Sequence, residues 1–164
     1  MKITKTILLG ISLFNLALPV TASPMIVAQS SCQATVNGVI REINRKGVTA
    51  VNLRVFQGTA NDSNYGNPTN RTDEILIVMG NQDSRDSEGH RIADILSSTV
   101  LMNSWANTIV KECGSTAVVS FGLNNSGWTV GYAIQANGNT APRECIGFPG
   151  DFIGKLGWNE TSCS

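Results

Sequence analysis

Apolar positions in this chain alternate over short stretches more often than they recur at helical spacing. Between residues 33 and 43, Ala34, Val36, Val39, Ile40 and Ile43 surround Asn37-Gly38, which predicts a strand with a bend or bulge at the glycine. Arg45-Lys46-Gly47 is turn-like, and Val48 to Phe56 follows with Val48, Val51, Leu53, Val55 and Phe56. Leu53-Arg54-Val55 alternates as a half-buried strand should, so the two segments predict a hairpin. Residues 57–73 form a polar loop dense in turn formers, among them Gly58, Asn61, Gly66, Asn67 and Pro68. Glu74 to Met79 reads as a buried strand ended by Gly80, and Asn81 to Glu88 as a second polar loop.

The most convincing helix begins near Ser87, with Asp86 or Ser87 as cap and Asp86 and Glu88 at the positive end of its dipole. Ile92, Ile95, Leu96 and Val100 fall at helical spacing, and the helix should end between Ser104 and Asn107. Thr108 to Lys111 starts another strand in this reading, and Ala117 to Phe121 a further one. The turn at residues 122–127 returns the chain into Trp128 to Ile134, where Trp128, Val130, Tyr132 and Ile134 share a face. The expected fold is mainly β with one mid-chain helix, an OB-like small antiparallel barrel. A β-sandwich with an added helix is the alternative.

The first residues change the picture. Lys2 and Lys5 precede an uncharged run from Ile7 to Val20, and Val20-Thr21-Ala22 supplies small residues at a cleavage position. This is the layout of a secretory signal peptide over residues 1–22. A second possible cleavage follows Ala28. The apolar run is shorter than the roughly 20 residues of a spanning helix. The expectation is a secreted or periplasmic protein with no membrane span, and one β-rich domain over residues 23–164.

Removing residues 1–22 takes two lysines from 12 basic residues and none from 12 acidic ones, leaving a net charge of −2 (10 − 12). That balance gives no electrostatic footprint for nucleic acid. Cys32, Cys113, Cys145 and Cys163 are even in number and belong to an exported chain, so two disulfides are expected. Three connectivities exist. The glycine-rich stretch between Cys145 and Cys163 favours joining those two, which leaves Cys32 with Cys113. No Cys-x-x-Cys pair accompanies the single histidine, so neither a zinc site nor any other cofactor is indicated.

No catalytic residue stands out. His90 lies in the first turn of the expected helix, and no serine sits in a nucleophile elbow. Asn81, Asp83, Asp86 and Glu88 offer oxygen ligands but do not match a calcium loop. Two loops remain as binding candidates. One carries Asn61, Asp62, Asn64, Tyr65, Asn70 and Arg71; the other carries Asn124, Asn125 and Ser126 ahead of Trp128. Carboxamides and hydroxyls match the paired donors and acceptors of a sugar, and an aromatic ring offers an apolar face. From these loops Asn64, Tyr65, Asn70, Asn125 and Trp128 are the candidate contacts. The alternation of its strand favours the core for Trp128.

The run Ile75-Leu76-Ile77-Val78, then Ile92-Ala93-Asp94-Ile95-Leu96, then Thr108-Ile109-Val110-Lys111 resembles the strand–helix–strand unit of exported OB-fold toxin B subunits, of the subtilase-cytotoxin and typhoid-toxin kind. The resemblance implies a homo-oligomeric ring of five, a helix facing its pore and a shallow site for a glycan or glycoprotein. The chain departs from that pattern in its long tail after Cys145 and its loop at residues 57–73. The reading as a whole is an exported, non-enzymatic binding module. An envelope-associated structural or inhibitor protein is the alternative, and a secreted hydrolase a lesser one. N-terminal sequencing of the exported protein should begin at Ser23, or at Gln29 under the second cleavage; an intact Met1 on the exported form would refute the signal peptide.

Overall fold

The apolar residues from Cys32 to Ile43 recur every three or four positions, and they form one stripe of a helix rather than the expected bent strand. In the computed structural model Val36, Val39 and Ile43 are buried along this stripe of α1 (Pro24–Arg45). The structure describes residues 24–49, 51–61, 64–81, 87–147 and 154–163, with side chains from Ser30 onward except that of Cys163. The expected signal peptide lies outside these residues. Asn37 is exposed on α1, and Gly38 is tolerated within it without breaking the stripe. The hairpin expected between residues 33–43 and 48–56 therefore does not form.

Five strands build the main sheet: β1 (Val51–Phe56), β3 (Asp73–Met79), β4 (Thr116–Leu123), β5 (Thr129–Ile134) and β6 (Thr140–Pro142), in the order β1-β3-β4-β5-β6. Within this sheet only the β3–β4 pair is parallel. A parallel pair needs a long crossover, and α2 (Ser87–Ser97) and α3 (Thr99–Glu112) supply it. The single expected helix is thus two helices meeting at Ser98, and the second runs on to Glu112. The strand expected at Thr108 to Lys111 is its last turn. β-branched residues there suggest a strand, but Met102, Trp105, Ala106, Ile109 and Val110 are all buried at helical spacing, and packing overrides the local preference.

The sheet stays open, with β1 and β6 at its two edges. It is mixed and, among the described residues, carries three α-helices, where an OB-like small antiparallel barrel or a sandwich with one helix was expected. Strand alternation and register put Ile75, Ile77, Met79, Ala117, Val119, Phe121, Tyr132 and Ile134 on one face. The helices cover that face. Trp105 meets Phe121 at 6.0 Å between ring centroids, and the Tyr132 hydroxyl donates to Thr99 O at 3.4 Å. Burial pushes the Tyr132 phenol up from its ordinary value, opposed by that hydrogen bond. Thr140, on edge strand β6, donates through its hydroxyl to Asn103 Oδ1 at 2.7 Å and through its N–H to Asn107 Oδ1 at 2.7 Å, which fastens that edge beneath α3.

Three long-range ties join the helical layer. Cys32 on α1 is disulfide-bonded to Cys113 at the end of α3, so the pairing ties two helices. Trp105 Nε1 donates to Glu42 Oε2 at 2.6 Å, linking α3 to α1. Thr49 donates through its N–H and hydroxyl to Glu88 Oε1 at 2.5 and 2.7 Å. Cys145 is also disulfide-bonded, and no described cysteine is free; the side chain of Cys163, its expected partner, lies outside the described residues.

Removing the first disulfide as Cys32→Ser with Cys113→Ser should lower unfolding stability by on the order of 4 kcal/mol, the loop-closure value for a separation of 81 residues. Urea denaturation of the double variant against the parent measures it. An unchanged midpoint would show that the Trp105–Glu42 contact and helix packing hold α1 without the bridge.

Candidate functional site

The opposite sheet face is polar at its centre. Alternation brings Glu74, Ser120 and Gly131 to it, flanked by Leu76, Val118 and Ala133. Ser120 Oγ donates to Glu74 Oε1 at 2.8 Å. Arg143, just past β6, lays its aliphatic stem over Gly131. A Cβ at residue 131 would lie 3.2 Å from Arg143 Cδ and 3.4 Å from Ser120 Oγ, so a side chain there would press on the Arg143 stem.

The Arg143 guanidinium then reaches the C-terminal segment, made of β7 (Glu144–Gly147), β8 (Leu156–Gly157) and β9 (Glu160–Cys163). Its Nη2 donates to Asn64 Oδ1 at 2.7 Å and to the carbonyl of Glu160. Asn64 belongs to β2 (Asn64–Tyr65), which pairs in parallel with β8. The Asn64 amide donates to Gly157 O at 2.8 Å and Glu160 O at 3.0 Å. Trp158, 6 % exposed, donates from Nε1 to Ile134 O at 2.7 Å and anchors the segment against β5. Burial lowers the pKa of Arg143 from its ordinary value, and the charge of Glu74 acts against that shift. Arg143 Nε is buried without a hydrogen-bond partner.

A groove opens beside this clamp. Its larger cavity, about 520 Å³, is lined by Trp128, Thr129, Gly131, Arg143, Cys145 and Thr161 among others. A second cavity of about 250 Å³ adjoins it, sharing Ser126 and Thr129, and is lined by Arg54, Leu76, Val78, Asn124 and Asn125. The larger volume falls in the range of small-ligand sites. Among the described residues the two linings contain two guanidinium groups, no carboxylate and no imidazole.

The β4–β5 turn sets the position of Trp128. Asn125 adopts a left-handed conformation with φ of 52°, which asparagine accepts more readily than most residues. The Ser126 hydroxyl donates to Leu123 O at 2.9 Å and accepts from Trp128 N at 3.1 Å. Leu123 N donates to Trp128 O at 3.0 Å, while Asn124 N donates to Met79 O at 2.8 Å and ties the turn to β3. Trp128 is 40 % exposed, so the core position that its strand pattern favoured is corrected: it sits one residue before β5, where the turn directs it into the groove.

Of the candidate contacts, the structure brings Asn125 and Trp128 to the same groove. Tyr65 is exposed at 63 % on β2 and lines neither cavity. Asn70 is likewise exposed and outside both. Asn64 is 4 % exposed, and its carboxamide is engaged in the Arg143 clamp, a supporting rather than a contacting position. The rest of that loop is organised internally. Asn67 Nδ2 donates to Asn61 Oδ1 and Arg71 O, and its Oδ1 accepts from Thr69. Arg71 donates to the carbonyls of Val110, Cys113 and Thr116, a cation at the negative end of α3.

His90 is exposed on α2, away from the groove. Glu88 holds Thr49 instead of facing a calcium loop; Asp83 and Asp86 lie outside the described residues. Among the described residues no group of three or more metal-ligating side chains occurs, and no helix is long and apolar enough to cross a membrane. Arg143, Arg54, Thr129 and Thr161 escaped the reading of the chain. One local sign existed: Gly131 interrupts an otherwise well-formed strand, which marks close approach of another group.

Comparison with known protein families, curated proteins and solved structures finds no match to this chain.

Replacing Asn64 with Ala removes the acceptor of a half-buried guanidinium and two bonds to the C-terminal strands. The expected loss is about 1–3 kcal/mol, because the guanidinium and the Gly157 carbonyl each lose a partner. Denaturant unfolding checks the loss, and hydrogen exchange should localise it to residues 154–163 and Arg143. A change spread evenly over α1 and α3 would contradict the clamp.

Proposed function

We propose that the chain is an exported, non-enzymatic binding module for a glycan or the glycan part of a glycoprotein. The half-exposed Trp128 in a groove lined by hydroxyls and carboxamides carries the reading. An indole offers an apolar ring face that can lie against the C–H face of a sugar. Thr129, Thr161, Ser126, Asn124 and Asn125 supply donors and acceptors around it. The aromatic and the amides come from one turn, so their spacing is set before a ligand arrives.

The groove chemistry favours binding over catalysis. Among the described residues its lining has no imidazole or carboxylate to act as a base, and it carries the guanidinium groups of Arg54 and Arg143. The same charge pattern disfavours sugars carrying an ammonium group. Export follows from the layout of residues 1–22 and accords with disulfide bonding at Cys32, Cys113 and Cys145.

A glycan array on purified mature protein, followed by titration of the retained ligands, tests the reading. Trp128→Ala should weaken binding about tenfold or more, since a lost aromatic contact is worth on the order of 1.5 kcal/mol. Asn125→Ala should weaken it less, and His90→Ala should leave it unchanged. Retention of no glycan, or equal binding by Trp128→Ala with an intact fold, would overturn the proposal.

A further inference from the structure

The two edges of the main sheet are built differently. β6 has three residues, includes Pro142, and is fastened under α3 by Thr140. Short length, proline and a cover are the usual protections of a sheet edge. β1 has six residues, Val-Asn-Leu-Arg-Val-Phe, with no proline or glycine. It pairs with β3 along its whole length, and no other backbone segment among the described residues hydrogen-bonds to it. Val55 is 52 % exposed and Phe56 38 %.

We infer that β1 is a self-pairing edge, through which two copies of this chain form a dimer with a continuous ten-stranded sheet. The sequence of the strand selects the register. A two-fold axis perpendicular to the sheet, passing through Leu53, puts Leu53 opposite its own copy and Val51 opposite Val55 on the helix side. On the groove side it puts Asn52 opposite Arg54 twice, a carboxamide oxygen beside a guanidinium. Moving the axis one residue onward opposes Arg54 to itself and is disfavoured. Moving it one residue back shortens the overlap. Arg54 is the one charge on β1, and only the Leu53 register combines a neutral partner for it with full apolar pairing.

This symmetry has a consequence for the grooves. A perpendicular axis keeps both groove faces on the same side. Arg54 lines the outer cavity, so Asn52 of the second copy would stand at the rim of each site. With strands about 4.8 Å apart, the two β5 strands lie roughly 34 Å apart across the axis. Two sites facing one surface at that spacing would bind multivalently. The dimer itself stands on the edge geometry and does not depend on the nature of the ligand.

Mass measurement on the mature, disulfide-intact protein without ligand, by light scattering or native mass spectrometry across a concentration series to about 100 μM, is the test. A species of twice the chain mass is expected. Asn52→Glu should tighten the dimer and Asn52→Lys weaken it, each roughly tenfold in dissociation constant because two pairs change per dimer. Val55→Lys should give monomer with an unchanged circular dichroism spectrum. Position 52 is exposed, so a merely structural role would not move association in opposite directions for the two charges. A monomer throughout the series, a ring of five, or a dimer indifferent to all three variants would overturn the inference. Loss of glycan binding with the dimer retained would count against the proposed function and leave the edge pairing standing.

Discussion

The half-buried guanidinium of Arg143 is the interaction on which the site depends. A charge removed from water is costly unless it is closely partnered. Here Asn64 Oδ1, the carbonyl of Glu160 and the field of Glu74 supply the partners. With Arg143 itself, these groups come from four separate parts of the chain. The charge is satisfied only when the β2–β8 pair, the C-terminal strands and the centre of the sheet are all in place. The desolvation that would otherwise penalise Arg143 thus makes the arrangement cooperative. The groove wall formed by Arg143, Cys145 and Thr161 exists because that segment is held against the sheet.

The helical layer answers a different constraint. Pairing β3 and β4 in parallel forces a crossover, and α2 and α3 fill it. The end of α3 then carries unpaired carbonyls, which Arg71 meets from the polar loop at residues 57–73. Asn67 shapes that loop so that the arginine arrives there. Within that loop, Asn67 holds Asn61, Thr69 and the Arg71 carbonyl together.

The Cys32–Cys113 bridge and the Trp105–Glu42 hydrogen bond hold α1 beside α3 on the covered face of the sheet. The other face is left for the groove. Trp128 is kept out of the core by a turn whose own hydrogen bonds are complete, so its exposure does not arise from a frayed strand end. A rigid turn presenting an aromatic ring beside amides is a preorganised contact surface.

Much of this was legible in the chain. Short alternating runs predicted β1 and β5, because a strand buried on one face must alternate, and short apolar runs predicted β3 and β4, which are buried along most of their length. The Asn-rich turn before β5 marked Asn125 and Trp128, and the even cysteine count marked disulfide bonding. The run from Cys32 to Ile43 was misread because Asn37-Gly38 suggested a bend, although its apolar spacing was already helical. Thr108 to Lys111 was misread because local β preference yields to burial when neighbouring residues pack as a helix. The direction of pairing, the openness of the sheet and the role of Arg143 had no local signature. The sequence by itself determined where the chain can bury apolar surface, since that depends on residues a few positions apart. Only the tertiary structure decided which polar groups meet, because Arg143, Asn64, Glu74 and Glu160 come together through long-range packing that no short-range pattern encodes.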